Sequence, residues 1–420
     1  MSGVMIKMGI YGILRVLIPM QSDLLATGVI ILVVSLISGV MGVMMAIAQH
    51  DLKKLLAYHS IENIGIIGAG IGLGVIGLAL NNQVLILLGF SGGLLHVLNH
   101  SLFKSLLFFS AGSVYQSTHT RNIERMGGLM KKMPWTAMLF LTGSLAISGL
   151  PPFNGFISEY LIYLGMFKSL PGASLSNSIL ILGSVVGLSL IGGLAIFCFT
   201  KAFGIVFLGE ARSANAAGAE EVKRSMIIPQ ILIVAFIMFI GLGSPLVVKP
   251  AFDVVAGTLG ISDQVMLTGS LASGLQGISI IGGVFVLILA SLLLYRHYHL
   301  RRKEVTAGPT WGCGYTAVTS RQQYTATSFI YNYNHIARPL LGTRKEMEEI
   351  GGNEIFPGKR TFVSHSDDVF KKVLIDKPID LVSGLLKRIA VMQTGQIRHY
   401  ILYAFVFMLI VLLLAILNII

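Results

Sequence analysis

The sequence predicts an all-α, polytopic membrane helix bundle of about nine transmembrane helices, one of them broken, with an amphipathic helix on the cytoplasmic face. Three observations predict it: charge is scarce, nine apolar runs are long enough to span a bilayer, and basic residues fall in alternate loops. Of 420 residues, 54% are hydrophobic and 12% charged, against roughly 25% charged in soluble domains. An ordinary soluble enzyme is excluded. The formal net charge of +12 does not make a nucleic-acid-binding surface, because the charges are spread too thinly for a continuous phosphate-binding stripe.

Runs able to cross ~30 Å of hydrocarbon, about 20 residues each, lie at 4–20, 24–48, 61–80, 84–115, 135–167, 178–208, 226–247, 278–295 and 399–420. The glycine pattern at Gly65, Gly68, Gly70, Gly72 and Gly74 suits close helix packing in lipid. The connections after the second, fourth and sixth runs hold Lys53 and Lys54, then Arg121, Arg125, Lys131 and Lys132, then Lys201, Arg212, Lys223 and Arg224. After the eighth run come Arg296, Arg301, Arg302 and Lys303, whereas the opposite loops supply only Lys168 and Lys249. The positive-inside rule then makes the basic loops cytoplasmic and sends the last residues to the far side. Asp51, Lys53 and Lys54 sit at a span end, where snorkelling anchors are expected.

The expected organisation is a transmembrane bundle at 1–247, a further transmembrane helix with its loop at 248–298, a polar segment at 299–398 and a last transmembrane helix at 399–420. Between residues 368 and 392 apolar positions recur near helical spacing, interrupted by Pro378, so an amphipathic helix along the membrane face is expected there, the alternative being a cytosolic loop with a short helix. Met1 leads straight into an apolar run, without the basic leader and cleavage site of a secretory signal. Cys198 lies in an apolar run and Cys313 in the stretch Trp311, Gly312, Cys313, Gly314, Tyr315; neither a disulfide framework nor a metal-binding spacing results. No metal or cofactor is expected.

Ionisable groups in hydrocarbon are costly and mark buried or water-lined paths. Lys7 lies in the first run, His59 and Glu62 open the third, His96, His100 and Lys104 line the fourth, and Glu159 follows a break in the fifth. His96, His100 and Lys104 are spaced i, i+4, i+8 and share one helix face, rising about 12 Å at 1.5 Å per residue. That ladder suits a proton relay through intervening water. A plain hydrogen bond to a neighbour is the alternative for one histidine, less so for three ionisable groups on one stripe. Pro151 and Pro152 forbid a regular helix, and broken membrane helices are tolerated where they line a cavity. Glu159 stands one to two turns beyond; its alternative is to reach an interface or pair with a structural lysine. Lys7 lacks a nearby acid, Asp23 being about 24 Å away along a helix at 1.5 Å per residue, so its partner is expected outside its own segment.

These residues carry a resemblance. The stretches 5–12 (Met-Ile-Lys-Met-Gly-Ile-Tyr-Gly), 50–58 (His-Asp-Leu-Lys-Lys-Leu-Leu-Ala-Tyr), 95–108 with His96, His100 and Lys104, and 149–156 (Gly-Leu-Pro-Pro-Phe-Asn-Gly-Phe) resemble the antiporter-like subunits of respiratory complex I, multisubunit cation/proton antiporters and membrane-bound group 4 nickel-iron hydrogenases. The segment around Cys313 looks most like the formate hydrogenlyase and hydrogenase-4 branch. The resemblance implies two inverted repeats with a central polar row, in which Lys7, His96, His100, Lys104 and Glu159 are the relay residues; some relatives have lysine at the last position. It also implies that 1–247 holds the second repeat, the first being absent here, so that the chain is expected to be a fragment or split gene product, or to have the missing half supplied by another polypeptide.

The function implied is a non-redox, proton-translocating subunit in a cell inner membrane, with sodium as the other candidate ion. Its implied partners are other membrane subunits and redox subunits carrying iron–sulfur clusters and nickel-iron, besides the lipid itself, with no nucleic acid. The alternative is a secondary cation/proton antiporter without redox partners. A haem carrier is disfavoured, because an i, i+4 histidine pair cannot supply opposite axial ligands and no CxxCH occurs.

Overall fold

The computed structural model describes residues 1–20, 22–261, 269–301, 303–304, 314, 319–320, 322–347, 362–366, 371–390 and 393–417. They form two compact units, Met1–Ala337 and Arg338–Ile420. Trp311, Gly312, Cys313, Tyr315 and Ile420 lie outside the described residues.

The first unit contains α1 (Lys7–Leu17), α2 (Leu24–Ile47), α3 (Leu52–Ala79), α4 (Gln83–Thr118), α5 (Leu129–Lys132), α6 (Pro134–Ile147), α7 (Asn154–Lys168), α8 (Leu175–Phe207), α9 (Ala214–Ala217), α10 (Arg224–Leu242), α11 (Ser244–Leu259), α12 (Gly269–Arg301), α13 (Ala326–Phe329) and α14 (Tyr331–Ile336). Side chains start the long helices: Asp51 accepts from the Lys54 amide at 3.0 Å and Asn82 from the Leu85 amide at 3.0 Å, satisfying donors a helix start leaves free. Asp51 also pairs with Arg121 at 3.2 Å, and Lys53 lies over the Tyr115 ring.

Helix α3 is buried on nearly every side between α2 and α4, and glycine makes this possible. A Cβ at Gly65 would lie 2.5 Å from the Ser35 carbonyl, and one at Gly70 would lie 2.9 Å from the Gly93 Cα, so the helices meet backbone to backbone. The run at 135–167 is broken as expected: α6 ends at Ile147 and α7 begins at Asn154. Helix α10 packs on the break, where a Cβ at Gly241 would overlap the Pro152 carbonyl.

The loops at 119–134, 208–223 and 319–337 interlock at one end of this unit. Glu124 accepts from the Ala326 and Thr327 amides at 3.0 and 2.8 Å, Arg212 donates to the carbonyls of Met126, Ile205 and Tyr324, and Lys131 pairs with Glu210 at 3.0 Å.

Seven of the described helices are long and apolar enough to cross a membrane: α2, α3, α4, α8, α10, α12 and the last helix of the second unit. The protein is a multi-pass helical membrane protein. The two remaining runs are 4–20, whose helix has 11 residues, and 135–167, which is the pair α6 and α7. Three details correct the sequence reading. Lys201 is not in a loop; α8 continues past it, because its ammonium finds carbonyl acceptors inside the bundle. Lys249 is helical too, since the chain turns at Gly243 and continues as α11, where Lys249 pairs with Asp253 one turn on at 3.0 Å. Third, α3 begins at Leu52, so His59 and Glu62 are interior residues and do not open the span.

The second unit holds α15 (Arg338–Leu341), an antiparallel pair of β1 (Thr343–Met347) and β2 (Phe362–Ser366), a wide helical turn at Lys371–Asp376, α16 (Lys377–Ala390) and α17 (Ile397–Ile416). The strand pair was not legible in the polar segment. Helix α16 is amphipathic, with Ile379, Val382, Leu386 and Ile389 on one exposed face. Pro378 does not interrupt it but sits in its first turn, where proline is tolerated.

Candidate functional site

Helix α4 carries His96, His100 and Lys104, all fully buried. His96 is held from both sides: Nδ1 lies 2.9 Å from Ser158 Oγ on α7, and Nε2 lies 3.1 Å from Asn63 Oδ1 on α3. Asn63 donates through Nδ2 to the His59 carbonyl at 2.8 Å, which fixes its oxygen towards His96 and makes Nε2 the protonated nitrogen. Ser158 Oγ also lies 2.9 Å from the Gly155 carbonyl. Its hydroxyl therefore has two acceptors. It donates to Nδ1 when the imidazole is neutral, and turns to Gly155 when Nδ1 carries a proton and donates instead. His96 can gain or lose a proton without leaving a partner unsatisfied.

Asn99 extends this network, donating to the Asn154 carbonyl at 2.8 Å and to Ser158 Oγ at 2.9 Å, and accepting from Asn154 Nδ2 at 3.1 Å. His100 has no protein partner at either ring nitrogen and packs on Phe103, ring centroids 5.5 Å apart. Lys104 donates to the Leu56 carbonyl of α3, with its ammonium 5.7 Å from the Phe108 ring centroid. The Glu62 and Lys104 charges act on each other. Glu62 bonds His59 Nδ1 one turn before it, and His59 stacks on Phe199 of α8 at 4.5 Å.

Lys7 is buried at the start of α1, where its Nζ donates to the Ser2 carbonyl at 2.6 Å. The first turn supplies this carbonyl acceptor, whereas among the described residues no carboxylate lies within ion-pair distance of Lys7. The Lys7 charge reaches His96, His100 and Lys104. Glu159 is 9% exposed on α7 and, among the described residues, has no cation within ion-pair distance. Its carboxyl lodges against Gly149 at the helix break, where a Cβ would lie 2.7 Å from Oε2. Gly149 has φ +63°, which glycine adopts without a steric cost. Glu159 adjoins Ser158 in sequence and so borders the His96 network.

The structure thus gathers Lys7, His96, His100 and Lys104 along α4, with Glu159 beyond on α7. Sequence reasoning left out of the relay His59 and Glu62, and missed Asn63, Asn99, Asn154, Ser158 and Lys201. Some signal was there: His59, Glu62 and Asn63 stand at i, i+3, i+4, as do His96, Asn99 and His100. Among the described residues no group of three histidines, cysteines or carboxylates could hold a metal ion.

Residues 1–186 match the family model described as NADH:quinone oxidoreductase/Mrp antiporter, transmembrane. Over this stretch, less than half of its length, the chain is similar to the antiporter-like family. It is 33% identical to hydrogenase-4 component B of Escherichia coli K12 over 439 aligned residues, covering 99% of this chain and 63% of that protein. It is 45% identical to formate hydrogenlyase subunit 3 of the same organism over 221 residues, 52% of this chain and 36% of that one. The chain therefore spans less than two thirds of the curated relatives it matches. A chain in the structure of the membrane-bound sulfane sulfur reductase, an archaeal respiratory membrane complex, superposes with a TM-score of 0.66 at 20% identity over 98% of this chain and 62% of that one, a likeness of fold.

Proposed function

We propose that this antiporter-like chain is a proton-translocating membrane subunit in which Lys7, His96, His100, Lys104 and Glu159 relay protons near the bilayer midplane. The observation that carries this reading is His96, fixed by hydrogen-bond partners that accommodate both of its protonation states. The relatives' names support a place within a multi-subunit membrane complex; the proposal sets that complex in the inner membrane, with redox subunits bearing iron–sulfur and nickel-iron centres driving the movement. Protons are the ion this chemistry suits; sodium is the alternative. The connections at 119–134 and 208–223 face the cytoplasm in this reading, α16 lies along that face, and the segments 1–247, 248–298, 299–398 and 399–420 act as the parts described above.

The test is redox-driven proton uptake in inverted vesicles containing the assembled complex, normalised to subunit abundance on a blot. Lys104→Ala and Glu159→Gln are expected to reduce uptake more than assembly, and Lys53→Ala to do less. Wild-type uptake in Glu159→Gln removes that residue from the relay. The family also embraces Mrp antiporters; sodium-dependent exchange without an electron donor would favour that second reading.

A further inference from the structure

Two cavities flank α8 at the end of the first unit where the loops interlock. The larger, about 530 Å³, has Lys201, Thr200, Arg212, Gln323, Ser328 and Asn332 in its wall, a lining polar enough to hold water. The smaller, about 230 Å³, runs between α6 and α8 and reaches Phe199. Thr200, Gly204 and Leu208 line both.

Lys201 lines the larger cavity. It is fully buried, and its Nζ donates to the carbonyls of Ile47 at 2.5 Å and Gln49 at 2.9 Å, at a helix C-terminus where the dipole favours a cation. Among the described residues no carboxylate lies within ion-pair distance of it. Cys198 and Phe199 precede it on α8 by three and two residues, and the Phe199 ring stacks on His59. His59 Nδ1 meets Glu62 Oε2, whereas His59 Nε2 and Glu62 Oε1 are buried and make no hydrogen bond of good geometry, the Cys198 thiol being the neighbour of the His59 ring. Buried polar atoms are normally satisfied, by water where protein supplies nothing. None of Lys201, His59 and Glu62 belongs to the α4 ladder, yet Glu62 acts on Lys104 at its end.

We propose that Lys201, His59 and Glu62 form a lateral proton route joining the water-holding cavity beside α8 to Lys104. The route rests on the relay reading above. With Nδ1–H donating to the Glu62 carboxylate, His59 Nε2 is bare. The free-base amine of Lys201 takes a proton from cavity water, and the ammonium passes it through an intervening water to Nε2. The imidazolium releases its Nδ1 proton to Glu62 Oε2, and the Glu62 acid delivers it through an intervening water to the free-base amine of Lys104. One proton has entered and one has reached the ladder. A second transfer from Nε2 to Nδ1 through water resets the ring.

The competing account makes Lys201 a staple between α8 and α2. Lys201→Arg separates the two, because arginine keeps the charge and the carbonyl bonds but does not release its proton at working pH. A Cβ at Gly204 meets nothing within 4 Å, so Gly204→Leu fills space in both cavities with little disturbance of packing. Redox-driven proton uptake by the assembled complex in inverted vesicles, per subunit on a blot, is expected to fall roughly ten-fold or more in Lys201→Arg, the low end of what a lost proton-transfer group removes, and to fall in Gly204→Leu. Gly204→Cys should be blocked by a charged, membrane-impermeant thiol reagent applied from the side of the basic loops, while the unmodified protein is not. Wild-type uptake in Lys201→Arg and Gly204→Leu, with uptake lost in Lys104→Ala, overturns the lateral route and leaves the relay standing. Wild-type uptake in Lys104→Ala as well overturns both.

Discussion

Replacing Asn99 by leucine tests whether α4 and α7 are held together by the network around His96. The substitution removes three hydrogen bonds, to the Asn154 carbonyl at 2.8 Å, to Ser158 Oγ at 2.9 Å and from Asn154 Nδ2 at 3.1 Å. Side-chain hydrogen bonds in membrane proteins average about 0.6 kcal/mol and those in proteins generally about 1 kcal/mol. Three of them give about 2–3 kcal/mol, the Asn154 amide keeping only its long bond to the Asn99 backbone carbonyl at 3.5 Å. A loss of 2 kcal/mol is roughly a thirty-fold change in the unfolding equilibrium. Reversible unfolding of the purified protein in mixed detergent micelles measures it, and a double-mutant cycle with Ser158→Ala isolates the Asn99–Ser158 bond. A loss below about 0.5 kcal/mol, the range of ordinary surface substitutions, would refute the reasoning.

Gly149→Val should leave helix content unchanged but push the Glu159 carboxyl aside, because φ +63° is strained for a β-branched residue and the new Cβ would lie 2.7 Å from Oε2; proton uptake below that of Glu159→Gln is the expected reading, and uptake at the wild-type level contradicts the placement. A cysteine at Met130, in the short helix between basic loops, should react with an impermeant thiol reagent only from the cytoplasmic side, and reaction solely from outside reverses the orientation. Burial holds the Tyr333 phenol, which donates to the Met44 carbonyl at 2.9 Å, above the ordinary tyrosine range. Its stabilising contribution is therefore whole below pH ~10 and lost as pH rises through the higher folded value. Tyr333→Phe should cost about 1 kcal/mol at neutral pH and flatten the alkaline fall in melting temperature; an unchanged alkaline slope removes Tyr333 as its source.

The helical architecture was legible because hydrophobic length and loop charge report directly on a bilayer. The ladder on α4 was legible for the same reason: three ionisable groups at four-residue spacing inside apolar sequence have no cheap alternative. Where a helix begins in polar sequence, hydropathy failed. Residues 52–60 of α3 include Lys53, Lys54, His59 and Ser60, so the apolar run starts at Ile61 and, by hydropathy alone, places His59 and Glu62 at an edge. Lys201 was misplaced because its acceptors, the carbonyls of Ile47 and Gln49, are some 150 residues away in sequence. Asn154 and Ser158 have ordinary local spacing, and only the crossing of α3, α4 and α7 gives them a common task with Asn63 and Asn99.

The glycines shared by α2 and α3 bear on how charge movement becomes work. A Cβ at Gly42 would lie 2.7 Å from the amide nitrogen of Glu62, and one at Gly72 would lie 2.8 Å from that of Leu32. Backbones in such contact have no intervening side chains whose rotamers could absorb a shift, so the pair behaves as a stator. In the proposed relay, a change of proton at Glu62 would be answered by hydroxyl rotors such as Ser158, by imidazole rings and by water on the α4 side. Those are small masses moving over short distances, so a signal passed along the row would be electrostatic before it is mechanical.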